Sequence, residues 1–77
     1  MTRRLVRVEW YDAAHIGAGG WVSARDVHTG AKVTTVGFVL RRTRRWLVVA
    51  QSLGPDDTAT GVFAIPRVGI ISEQTVR

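Results

Sequence analysis

Four arginines fall within five residues in the stretch Arg41-Arg42-Thr43-Arg44-Arg45. A guanidinium group is always charged, grips phosphate through two parallel N–H donors and stacks on bases. A cluster of this density can therefore track a nucleic-acid backbone, and Trp46, directly after it, offers an indole face for stacking. The same residues also make a serviceable solvated turn. At ~8 Å in water each like-charge pair costs only about 0.5 kcal/mol before salt screening, so the cluster needs no ligand in order to exist. Charge at the end of a hairpin also discourages edge-to-edge aggregation. Arg3, Arg4 and Arg7 add to the field if the fold brings them near that tip.

The other chemistry-bearing residues are weaker candidates. "HIGAGGW", residues 15–21, is rich in glycine but lacks the spacing of a dinucleotide loop and the Lys-Ser/Thr pair of a P-loop, so a flexible connection accounts for it. Asp12 and His15 stand three positions apart, and Ser23, Ser52 and Ser72 are available, yet no serine is marked as an activated nucleophile. Asp56-Asp57 lies in "GPDDTATG" and reads as a pair of turn residues. With no cysteine, disulfides and thiolate metal sites are excluded, and His15 and His28 have no carboxylate pattern around them. No catalytic residue, metal or cofactor is expected, and the chain is read as a non-enzyme.

These side chains must be positioned by a small scaffold. Seventy-seven residues make one domain, residues 1–77, near the lower limit for independent folding. A domain this small usually adds disulfides, a metal or a partner subunit; without the first two, a homo-oligomer is expected. The apolar share of 45% argues against disorder. The longest apolar run, Trp46 to Ala50, is far too short to span a membrane as a helix. "MTRRLVRVEW" has charges where a signal peptide needs its apolar stretch, so an intracellular, cytoplasmic location is expected. The net charge of +5 favours anionic partners. Ten of the eleven basic residues are arginine, a bias that a GC-rich genome would also produce through its codons.

Period-two alternation marks the elements. In "LVRVEWY", 5–11, Val6, Val8 and Trp10 share one face. "TTVGFVLRR", from Thr34, puts Val36, Phe38 and Leu40 on one face. "WLVVAQSL", 46–53, is apolar on both faces, with Trp46, Val48 and Ala50 opposed to Leu47 and Val49, as expected of a central strand covered on two sides. The five residues Arg41 to Arg45 between these runs are a common hairpin-loop length. Residues 54–61 read as a loop. "VFAIP" is a strand with Phe63 and Ile65 on one face, ended or held at an edge by Pro66. "RVGIISEQTV" resumes an extended pattern. Residues 22–32 fit either a short helical turn near Ser23–Val27 or another strand. The parity of Trp10, Phe38, Trp46 and Phe63 assigns most aromatics to the core, whereas Trp21, after two glycines, is expected to be exposed as an interface anchor.

Five short strands, one tight hairpin and a proline break before the last strand describe an all-β, five-stranded, strongly bent barrel of the Sm-like or Src-homology-3-like kind, with one Arg-tipped hairpin. In Sm-like proteins the residues near the turn after the fourth strand lie close to the ring pore that reads RNA, which implies a contact for Arg67. The runs "VGFVLRRTRRWLVVAQSL" and "GVFAIPRVGIISEQTV", with the "VEW" of the first strand, resemble a group of short, uncharacterised bacteriophage-encoded proteins. The resemblance covers roughly residues 5–12 and 34–74 and rests on structural motifs: the VEW strand, the VG-(F/W)-(L/V)-L hairpin and the aliphatic-Ile-Pro-basic turn. In that group the tip often carries acidic or mixed residues, and the Arg-rich tip departs from this. The resemblance implies a small accessory protein acting in the cytoplasm of an infected host cell.

Two function classes follow. One is a module binding RNA or single-stranded DNA through Arg41, Arg42, Arg44, Arg45 and Arg67; with four phosphates contacted, affinity should fall roughly 50-fold between 50 and 200 mM salt. The other is a protein-interaction module, or a small-ligand sponge, acting on a host or phage partner through Trp21 and a sheet edge or face.

Overall fold

The computed structural model describes residues 3–12 and 30–76. The alternative conformations expected for residues 22–32 fall almost wholly outside these, as does Trp21. Five strands follow in order: β1, Leu5–Asp12; β2, Ala31–Arg42; β3, Trp46–Leu53; β4, Ala59–Pro66; and, after a 3₁₀ turn at Arg67–Gly69, β5, Ile70–Thr75. Every pairing is antiparallel, and the strand order is β4-β3-β2-β1-β5. The described residues are thus all-β, as the alternation implies. The sheet is open, however: β4 and β5 are its two edges and do not pair with each other, so the expected barrel does not close.

The core lies on one side of the sheet. Val6, Val8 and Trp10 of β1, Leu47 and Val49 of β3 and Ile65 of β4 are buried together, with Val33, Val39 and Ile70 packed against them. Cross-strand partners share a face, so the register of β1 on β2 decides which half of β2 joins this core. Val6 faces Gly37, Val8 faces Thr35 and Trp10 faces Val33. The trio Val36, Phe38 and Leu40 therefore falls on the outer side, the reverse of what its apolar character suggests, and Val36 is 51% exposed. Two local demands favour the less apolar set. The buried Trp10 indole needs an acceptor, and its Nε1–H donates to the Thr35 hydroxyl at 3.0 Å. Gly37 leaves room where a Cβ would lie 3.0 Å from the Ala50 carbonyl oxygen and 3.1 Å from Val49 Cβ.

Most of the aromatics also depart from their expected core positions. Among the described residues only Trp10 is a buried aromatic; Trp46 and Phe63 are 44% and 45% exposed. Phe63 still shares the core face, its ring tilted against Trp10 with centroids 5.6 Å apart. The outer side of β3 is covered in part, because Ala50 is buried between its neighbours Phe38 and Val62.

The β3–β4 turn is shorter than composition suggests, since Ala59 and Thr60 already pair with Leu53 and Ser52. Asp56 and Asp57 both have positive φ, 56° and 59°, and the Thr58 N–H donates to the Pro55 carbonyl at 3.2 Å. Two consecutive left-handed residues are what a type I′ hairpin turn requires, and aspartate tolerates them better than most residues. Pro66 is the last residue of an edge strand, where its missing N–H leaves no ladder bond unmade.

Candidate functional site

The arginine cluster is set by the end of β2. Val39 pairs with Val49 and Arg41 pairs with Val48, so Leu40 is an extra residue in a bulge. The bulge shifts parity by one. Arg41 shares the outer side with Val48, and Arg42 shares the core-facing side with Leu47. The tip itself is Thr43 to Arg45. Thr43 closes it: the Thr43 N–H donates to the Trp46 carbonyl at 2.9 Å. Its hydroxyl oxygen accepts from the N–H groups of Trp46 at 2.9 Å and Arg45 at 3.3 Å. Because backbone and hydroxyl satisfy one another, the arginine side chains are not needed to hold the turn.

The four arginines go to three places. Arg41 lines the outer side beside Arg3, Leu40 and Val48. Arg42 turns to the core-facing side and meets Glu73 of β5, donating from Nη1 to Oε1 at 3.0 Å and from Nη2 to Oε2. Arg44 and Arg45 remain at the tip, exposed, where they border a shallow apolar cleft with Trp46, Pro66 and Val68. Val68 is 97% exposed, an unusual position for valine.

The 3₁₀ turn brings Arg67 to this place. Trp46 pairs with Pro66, and the Arg67 N–H donates to the Arg45 carbonyl at 2.9 Å. Residues 22 positions apart are thereby joined, and Arg67 stands beside Arg45 as a fifth basic residue of the cluster. The remaining basic residues near the N-terminus divide. Arg3 donates to the Leu40 carbonyl at 2.9 Å and pairs with Asp57 at 3.2 Å, while Arg7 pairs with Glu9 at 2.9 Å. Lys32 also reaches Glu9, at 3.4 Å. Among the described residues Arg4, Arg41, Arg44, Arg45 and Arg67 make no ion pair.

The two paired glutamates report these fields. Glu73 has its pKa lowered from the ordinary 4.5, chiefly by the hydrogen bonds from Arg42; partial burial opposes this, and the charges of Arg42, Arg67 and Arg4 add to it. Glu9 is lowered by its hydrogen bonds from Arg7 and Lys32. Arg42 is held more firmly protonated by Glu73.

Sequence reasoning did not single out Glu73, Pro66 or Val68. Glu73 carried no local signal, because its partner lies 31 residues away. Pro66 and Val68 were legible only as turn residues, although an apolar residue directly after Pro66-Arg67 is a hint of something other than solvent. Trp21, expected as a protein-interface anchor, lies outside the described residues, as do His15 and His28. Among the described residues no group of three or more His, Asp or Glu side chains could hold a metal ion, and no helix is long and apolar enough to cross a membrane. No protein-family model matches the chain, and neither a curated protein nor a solved structure matches it.

Proposed function

We propose that the chain is a small binding module for RNA or single-stranded DNA, which it engages at the β2–β3 tip. The observation that carries this reading is the cleft that Arg44 and Arg45 share with the half-exposed Trp46, Pro66 and Val68, with the Arg67 backbone tied to Arg45 beside it. Three guanidinium groups without acidic partners supply phosphate contacts. Trp46, Pro66 and Val68 supply an apolar surface on which an unpaired base can stack, a contact worth about 1–3 kcal/mol per base. A duplex keeps its bases inside the helix and cannot use that surface. Arg41 lines a separate cleft with Arg3, Leu40 and Val48 and is not in this group.

The strand order, with a single 3₁₀ turn leading from edge strand β4 to edge strand β5, supports an Sm-like or Src-homology-3-like arrangement for the scaffold. In such an arrangement the tip and the 3₁₀ turn are held by the ladder between β3 and β4, so the site is built on paired backbone and not on a free loop.

The test is fluorescence anisotropy of a labelled oligouridylate across a salt series. With three phosphates contacted, affinity should fall about 20-fold between 50 and 200 mM salt, less steeply than the roughly 50-fold for four contacts. Replacing Arg44, Arg45 and Arg67 by serine should abolish the salt-dependent part. Binding that does not vary with salt, or that survives the triple replacement, would sink the reading.

A further inference from the structure

The core-facing side of the sheet carries a second concentration of positive charge next to the tip. Arg4 precedes the core residue Val6 by two positions, and Arg67 follows the core residue Ile65 by two. Arg42 stands opposite Leu47, and Glu73 stands opposite Val8, so strand alternation directs both to that same side. Glu73 lies level with Val8 and Thr35, seven residues from Arg42 along β2, so the curl of the sheet brings the two together. One carboxylate thus stands among three guanidinium-bearing residues, and it is the only acidic side chain in ion-pair contact with any of them among the described residues.

That carboxylate makes two parallel contacts to Arg42, the geometry that guanidinium offers equally to a phosphate. The pair is open to solvent, with side-chain exposures of 39% for Arg42 and 26% for Glu73. Ion pairs this exposed are weak, and an incoming phosphate diester, also a single negative charge, has the two unpaired arginines as additional partners.

We propose that Arg4, Arg42 and Arg67 form a phosphate site that Glu73 occupies from within the chain, so that Glu73 restrains nucleic-acid binding at the adjoining tip. This rests on the tip reading above. Arg67 belongs to both groups, and a strand laid on Arg44, Arg45 and Arg67 reaches Arg42 and Arg4 by continuing onto the core-facing side. Glu73 then sets how far along this path the phosphates are held.

The decisive comparison is oligouridylate binding by the wild type, E73Q and the double variant R42S/E73Q at 50 and 200 mM salt. Freeing one phosphate contact on a single strand adds about 0.7 to the salt slope, so E73Q should bind about eightfold more tightly than wild type at 50 mM and about threefold more tightly at 200 mM. The double variant should lose that gain. A gain that persists without Arg42 would mean a general charge effect and overturn the site. If the wild type binds and E73Q binds no better, the site is wrong while the tip reading stands. If neither binds at 50 mM, the tip reading fails and takes this inference with it. A measurement on the unaltered protein covers the case in which E73Q does not fold. On titration with tripolyphosphate, the Arg42 side-chain NMR signals should move together with those of Arg67. Movement confined to Arg44 and Arg45 would overturn the proposal.

Discussion

The two turns that flank β3 are built alike and charged oppositely. Thr43 closes the first by accepting N–H groups of the turn, and Thr58 closes the second by donating its hydroxyl to the Pro55 carbonyl at 2.7 Å while its own carbonyl accepts the Gly54 N–H at 2.8 Å. In each the backbone is satisfied by a threonine and by the ladder, and the charged side chains are surplus to the turn. Their fates differ. In the acidic turn Asp57 is matched by Arg3, whose other contact is the Leu40 carbonyl. In the basic turn Arg44 and Arg45 meet no acid among the described residues, and a further arginine is brought up beside them. A turn that is merely solvated does not require extra charge of the same sign to be delivered from another element. That asymmetry is what separates a solvent-facing tip from a candidate anion site.

The comparison assumes that β3 is a rigid bar holding both turns, and the largest effect comes from breaking it. Leu47 is wholly buried, two residues from Arg45. Leu47→Ala should destabilise the protein by about 2–5 kcal/mol, and urea denaturation followed by tryptophan fluorescence measures this. A loss below 1 kcal/mol would mean that the side chain is not a core element.

A middle-sized effect sharpens the likeness of the two turns. Thr43→Val and Thr58→Val each remove a hydroxyl that completes a turn, at about 1 kcal/mol, readable from the same denaturation curves. They should separate in function: only Thr43→Val should weaken oligouridylate binding, because only it loosens Arg44 and Arg45. Equal losses of binding would put the site elsewhere.

The smallest effect is in acid. Glu73 has a folded-state pKa below 4.5, so the stability that it contributes is present above its unfolded value and is lost as pH falls through its folded value. Melting temperature should therefore decline below about pH 4.5, and E73Q should show a shallower decline, the difference being under ~1 kcal/mol for so exposed a pair. The residual decline belongs partly to Glu9, whose pKa is lowered in the same direction by Arg7 and Lys32. An identical acid profile in E73Q would show that the Arg42–Glu73 pair adds nothing to the fold.

Much of this molecule was legible in the order of its residues. Alternation placed Val6, Val8 and Trp10 on one buried face, because a half-buried strand must repeat every two residues whatever it packs against. In β3 the same rule left two apolar faces, one with Trp46 and one with Leu47 and Val49, and charge between two apolar runs marked a turn, which is Thr43 to Arg45 and not the whole of Arg41 to Arg45. Tertiary structure alone decided the rest. Alternation says that the two faces of β2 differ, but only pairing with β1 says which is inside; the need of Trp10 for the Thr35 hydroxyl and the close approach at Gly37 accompany the choice of the less apolar set. The bulge at Leu40 then decided that Arg42, and not Arg41, takes the core-facing side. Arg67 beside Arg45 and Glu73 on Arg42 are contacts between residues 22 and 31 positions apart, made by the antiparallel ladders and the sheet's curl. Local sequence carries the period of a strand and the chemistry of a turn. Which charges meet depends on register, and register is settled only when the strands pack.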